Sequence, residues 1–126
     1  MLSISARNLA WDALLPLLDG GYLRIYPAPE PPDMEADPGV VPLAELRFQD
    51  PAAAPATNGR ATAYPLTSDL AAAGGGVPSW FRAVTAGGET VLQDSVGLDG
   101  SPSPLKINTL WIEAGAEVVI GELVFS

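Results

Sequence analysis

The chain contains no cysteine and no histidine. Those two absences exclude the usual zinc, haem, iron–sulfur and copper sites. They also exclude a Ser-His-Asp or Cys-His catalytic centre and any disulfide framework. Positive charge is scarce as well: six Lys+Arg stand against 15 Asp+Glu, a net charge of -9. Such a chain has no general affinity for a polyphosphate backbone, so nucleic acid is not expected as a partner. Long apolar runs are missing too. Asp12, Pro16 and Asp19 break the longest stretch near the start, and nothing approaches the roughly 18 residues of a membrane span. Residues 1–7 show no cationic region followed by an apolar run, so neither an export segment nor a membrane partner is expected.

What is present fits one domain, residues 1–126. Hydrophobic residues make up 48% and the mean hydropathy is +0.22, but much of the apolar count is Ala, which buries little area. A thin core follows, and a second copy or another protein is expected to cover part of the surface.

Residues 5–18 read as a helix. Ser5 or Asn8 can cap it, and Leu9, Ala13 and Leu17 recur at the helical spacing, widened by Leu14, Leu15 and Leu18 with Trp11 at the edge. Pro16 predicts a kink or an end near Leu15, and Gly20-Gly21 supplies a left-handed stop. The period then changes to two. Strands are expected at 22–26, 43–48, 60–64, 79–85, 90–96, 105–110 and 117–125. On the first, Leu23 and Ile25 share one face while Tyr22, Arg24 and Tyr26 share the other. Ala86-Gly87-Gly88-Glu89 carries the best hairpin signal. Short strands joined by Gly/Pro turns predict an all-β fold: an antiparallel β-sandwich or jelly roll of about seven to eight strands over residues 22–126, with one short N-terminal helix and a Pro-rich loop.

That loop, residues 27–42, holds Pro27, Pro29, Pro31, Pro32, Pro38 and Pro42 among Glu30, Asp33, Glu35 and Asp37. So many prolines cannot sit in a central strand, so it reads as an extended arm or surface loop with polyproline II character. Residues 51–58 and 70–78 read as low-complexity loops.

The chemical motifs are weak. Asp33-x-Glu35-x-Asp37 has the spacing of a calcium loop, but Pro38 and Ala44 stand where that loop needs Gly and Glu. Carboxylate pairs arise by chance among so many acids, and none sits in a glycosidase motif. Lys106, the single lysine, reads as a solvent-facing strand residue rather than a Schiff-base former. Gly74-Gly75-Gly76 lacks the Gly-Lys-Ser/Thr ending of a phosphate loop. No catalytic residue, cofactor site or metal site is expected, and the chain does not read as an enzyme. Trp80 and Trp111 read as core. Two Tyr around one Arg suits a protein interface, so Tyr22, Arg24 and Tyr26, together with Pro31, Pro32, Asp33, Glu35 and Asp37 of the Pro-rich loop, are the candidate interaction residues.

The order of the segments adds a resemblance. A short helix precedes Gly-Gly-Tyr-Leu-Arg-Ile-Tyr-Pro-Ala-Pro-Glu-Pro-Pro (20–32), then Leu-Ala-Glu-Leu-Arg-Phe-Gln-Asp-Pro (43–51) and Ala-Thr-Ala-Tyr-Pro-Leu-Thr-Ser-Asp (61–69). Trp-Phe-Arg-Ala-Val (80–84) and Asp-Ser-Val-Gly (94–97) follow. This order resembles a group of small virion structural proteins of tailed phages and prophages, of the capsid cement or decoration type. The resemblance implies a small β-sandwich, made in the host cytoplasm and seated on the outer capsid surface of the virion. There it would bind the major capsid protein and a further copy of itself, as a homodimer or homotrimer, and stabilise the shell by bridging capsid subunits. The chain departs from the group in the length of residues 27–42, which leaves the role of that loop open. Two other classes fit the composition: a tail-associated or surface module that stacks a glycan on its aromatics, and a head–tail connector component.

Overall fold

Ser3 starts the helix. Its Oγ accepts from the amide of Ala6 at 3.1 Å, which satisfies one of the donors that every helix start leaves free. The helix, α1, spans Ile4–Leu14, so Ser5 and Asn8 lie inside it rather than capping it. Pro16 has no amide to give to an α-helical turn. The chain accordingly tightens into a 3-10 turn over Leu15–Leu18, with Pro16 in its first positions. The break therefore falls at Leu15, where the proline places it. Gly20 then turns the chain at φ 68°. Gly21 lies so close to the following sheet that any Cβ would fall on the carbonyl oxygen of Val84.

The computed structural model describes residues 2–34, 36–67, 75–97, 105–107, 112, 115 and 120–125. Among them are seven strands: β1 Tyr22–Tyr26, β2 Ala44–Arg47, β3 Ala61–Thr62, β4 Trp80–Val84, β5 Thr90–Gly97, β6 Leu105–Ile107 and β7 Ile120–Phe125. Each falls within or just beside an expected segment. Residues 108–110 and 117–119 of the last two expectations, like Trp111 and the side chain of Lys106, lie outside the described residues. Among the described residues the fold is β-rich with one short α-helix. The strands form one hydrogen-bonded sheet in the order β2-β1-β4-β5-β6-β7-β3. Every neighbouring pair is antiparallel except β5 and β6, which run parallel. The expected turn between β4 and β5 is present: Gly88 at φ 91° donates to the carbonyl oxygen of Thr85, and the amide of Thr85 donates to that of Glu89.

The sheet bends back on itself. The chain from 61 to 67 pairs first with β7, through Ala61 and Thr62. It then crosses to β2, where Thr67 and Arg47 exchange both backbone hydrogen bonds. One core therefore collects side chains from both halves of the sheet: Leu23, Ile25, Leu46 and Phe81 from one, Leu105, Leu123 and Phe125 from the other. The period-two alternation that made these residues recognisable is the pleat that turns them to a common face.

Leu15 and Leu18 of the 3-10 turn enter this core, and Trp11 lies on Phe125 with ring centroids 5.4 Å apart. The rest of the expected apolar stripe does not. Leu9 is 73% exposed, Leu17 54%, and Ala13 is exposed as well. Beside Trp11, two polar side chains of α1 and Asp19 after the 3-10 turn reach the neighbouring 52–59 segment instead. Asn8, Asp12 and Asp19 accept from the backbone amides of Gly59, Ala56 and Ala52 at 2.8, 2.8 and 2.7 Å. The 52–59 segment has few ladder bonds of its own, so these side chains meet amide donors that would otherwise be buried unpaired. That segment ends in a two-residue turn, Asn58 at φ 54° and Gly59 at φ 76°. Thr57 and Arg60 exchange hydrogen bonds across it.

Candidate interaction surface

The strand register places the residues of the outer sheet face in rows. Arg24 of β1 stands opposite Arg82 of β4, and Tyr26 opposite Trp80. Arg82 in turn stands opposite Gln93 of β5. An outward row of two arginines and two aromatics would ordinarily meet water. Trp80, Arg82 and the facing Gln93 instead meet residues 27–34 and 36, which lie across that part of the face as a strap.

Arg82 is the anchor. It is 6% exposed and the one buried charged side chain among the described residues. Its Nε donates to Gln93 Oε1 at 2.8 Å. Nη1 donates to the carbonyl oxygen of Ala36 at 2.7 Å, and Nη2 to that of Asp33 at 3.2 Å. Gln93 Nε2 reaches the carbonyl oxygen of Pro31 at 2.7 Å, and Trp80 Nε1 that of Pro27 at 2.7 Å. The prolines explain why a strap of this kind can lie against a sheet. Pro27, Pro29, Pro31 and Pro32 carry an acceptor and no amide donor, and the amide of Ala36 is met by the carbonyl oxygen of Asp33, so the covered backbone asks mainly for donors. Guanidinium, amide and indole groups on β4 and β5 supply them. Trp80 closes the stack beneath, 4.4 Å from the ring of Tyr26 at an interplanar angle of 14°, with the Arg82 guanidinium 5.3 Å from its own ring centroid.

The candidate residues thus divide. Tyr26 is 4% exposed and lies beneath the strap, so it is a support rather than a contact residue. Burial pushes its hydroxyl pKa up, against the opposing pull of the Arg24 and Arg82 charges. Tyr22 is half-buried, with the guanidinium of Arg47 5.4 Å and that of Arg24 6.0 Å from its ring centroid. Arg24 pairs with Glu45 at 2.8 Å on an open part of the face. Pro31 is half-buried and Pro32, Asp33 and Asp37 are exposed. Asp37 Oδ1 accepts from the amide of Gly39 at 2.8 Å, closing a small turn. Glu35 lies outside the described residues. Tyr22, Arg24 and the strap therefore share one side of the sheet, with Tyr26 as the floor between them.

Arg82, Gln93 and Trp80 organise this surface and were not singled out as a set from sequence. The available signal was an arginine in the middle of the apolar run Trp-Phe-Arg-Ala-Val, in a chain with few cations. Such a residue needs a large set of acceptors.

A second feature lies elsewhere. A shallow cleft of about 390 Å³ separates α1 and its 3-10 turn from residues 51–55, with Trp11, Pro16, Pro55 and Tyr64 among its walls. Among the described residues no group of three or more acidic side chains is placed to hold a metal ion, and no helix is long and apolar enough to cross a membrane. No family model, curated protein or solved structure matches the chain.

Proposed function

We propose that this protein is a phage capsid cement protein, which binds the outer surface of the head and bridges neighbouring major capsid subunits. The observation that carries the reading is the strap. A cement protein needs contact elements whose shape is fixed before docking, because each ordered segment otherwise subtracts its entropy from the affinity. Proline fixes φ along residues 27–42, and Arg82 fixes the segment's place on the sheet. Its backbone oxygens are used internally while the side chains of Pro32, Asp33 and Asp37 are exposed. Weak contacts of this kind gain strength from repetition over a symmetric shell. Binding only the assembled shell would stabilise it by mass action.

The finer architecture belongs to the same proposal. Two halves of one sheet sharing a single core support an antiparallel sandwich of jelly-roll type, and the segment that passes from β7 to β2 is its corner. A glycan-binding surface has less support, because Tyr26 and Trp80 stack with each other beneath the strap and offer no open ring face.

The test is copy number in purified particles, by quantitative mass spectrometry against the major capsid protein. A simple ratio to that protein is expected, and heads without the protein should lose resistance to heat. A handful of copies per particle would replace the cement role by a connector role. Absence from particles would overturn the virion reading altogether.

A further inference from the structure

The sequence holds three asparagines, Asn8, Asn58 and Asn108, and Asn58 alone precedes a glycine. An Asn-Gly step is prone to a reaction of the polypeptide with itself. The amide nitrogen of the following residue, once it has lost its proton to hydroxide, attacks the side-chain carbonyl carbon of the asparagine. The N–Cγ bond forms, the Cγ–Nδ2 bond breaks, and ammonia leaves with a proton from water. Water then opens the resulting succinimide at either carbonyl, giving aspartate or, more often, isoaspartate. A side chain on the following residue hinders the attack, and glycine has none. Leu9 and Thr109 follow the other asparagines.

The fold treats the two halves of this step differently. Asn58 is exposed in its two-residue turn at φ 54°. Gly59 is buried. Its amide donates to Asn8 Oδ1 of α1 at 2.8 Å. The Arg7 guanidinium lies against it, where a Cβ would stand 2.7 Å from Cζ. Thr57 and Arg60 pin the turn through the hydrogen bonds they exchange. The electrophile is therefore open to water while the nucleophile is withheld: the Gly59 amide must leave Asn8 before it can lose its proton.

We infer that Asn58 is a site of spontaneous deamidation guarded by α1, reacting only when the helix lifts from residues 52–59. Side-chain contacts from Asn8, Asp12 and Asp19 hold that segment, so the rate of reaction follows the population of this local opening. The product fits the closed form poorly. Isoaspartate adds a methylene to the backbone of a two-residue turn, which takes Thr57 and Arg60 out of register. Each conversion also adds a negative charge to a chain that already carries -9. The inference does not rest on the capsid reading.

Trypsin releases residues 48–60 as one peptide in which Asn58 is the only asparagine. Mass spectrometry of that peptide, after incubation of the purified full chain at mildly alkaline pH, counts asparagine, aspartate and isoaspartate. Conversion at least about tenfold slower than in unfolding urea is expected for the native chain. Asn8→Ala, shown to be folded by circular dichroism, should convert roughly tenfold faster than the native chain, because the Gly59 amide has lost its acceptor. Hydrogen exchange at the Gly59 amide tests the same opening without any variant. Its slowing relative to the unfolded chain should match the slowing of deamidation. Native conversion at the unfolded rate would overturn the inference, as would a folded Asn8→Ala chain that converts no faster than the native one. Deamidation far faster than the exchange of Gly59 allows would show that the closed turn itself reacts and that α1 guards nothing.

Discussion

Arg82 Nη1 donates to the carbonyl oxygen of Ala36 over 2.7 Å, a contact between residues 46 apart in the chain. It joins the most buried charge of the sheet to the most proline-rich segment of the sequence. The two features explain each other. A buried guanidinium needs acceptors for its donors. The strap offers them as the carbonyl oxygens of Asp33 and Ala36, and its one proline acceptor in this cluster, Pro31, is taken by Gln93.

Arg82→Met keeps the apolar stem and removes the donors. The carbonyl of Ala36 and the Oε1 of Gln93 then lose the guanidinium, while the carbonyl of Asp33 keeps the amide of Ala36 as its donor. A destabilisation of about 2–4 kcal/mol is expected in urea unfolding, part of it recovered because a released strap can turn its carbonyls to water. The more specific sign is local: a protease that cuts on the amino side of aspartate should cleave the Ala36–Asp37 bond, whose carbonyl Arg82 holds, faster than in the native chain. Arg82→Lys should rescue little, because an ammonium cannot reproduce the planar fork. Unchanged cleavage would mean that the strap is held by other contacts.

The strands were legible in the sequence because a half-buried strand must alternate, as Leu23/Ile25 against Tyr22/Arg24 does. The break at Leu15 was legible because a proline cannot donate. The orientation of α1 was not. Leu9, Ala13 and Leu17 have the spacing of a core face, but spacing does not say which side of a helix faces inward. Here the hydrogen bonds that Asn8, Asp12 and Asp19 accept from the amides of residues 52–59 decide it. Asn58-Gly59 is a strong two-residue turn signal that was absorbed into an alanine-rich loop, because only short strands flank it. The candidate surface was half legible. Alternation put Tyr22, Arg24 and Tyr26 on one face, but that face is shared with Trp80 and Arg82 through pairings of distant residues. Only those pairings reveal that the Pro-rich segment covers Tyr26.

Tyr26 predicts an alkaline sensitivity. Burial raises the pKa of its hydroxyl above the ordinary value near 10. The unfolded chain therefore loses this proton first as the pH rises. The stabilisation from the neutral buried phenol is complete below about pH 10 and is lost as the pH rises through the folded value. Tyr26→Phe has no proton to lose. Urea midpoints measured from pH 8 to 11.5 should fall less steeply above pH 10 for Tyr26→Phe than for the native chain. Parallel curves would place the alkaline loss on other groups.

The carboxylates of Glu30, Asp33 and Asp37 are exposed, and exposed charges at the edge of an interface act mainly on the rate of encounter. Glu30→Gln with Asp37→Asn removes two of them while keeping their shapes, and the asparagine oxygen can still accept from Gly39. Stability should change by no more than about 0.5 kcal/mol. Association with heads stripped of the protein should slow roughly two- to tenfold at low ionic strength, and the difference should shrink as salt screens the remaining charges. Dissociation should change little, since the proline surface and the Arg82 anchor are untouched. Equal association rates for variant and native chain at low salt would show that the acidic strap does not face the shell, and would direct attention to Tyr22 and Arg24 instead.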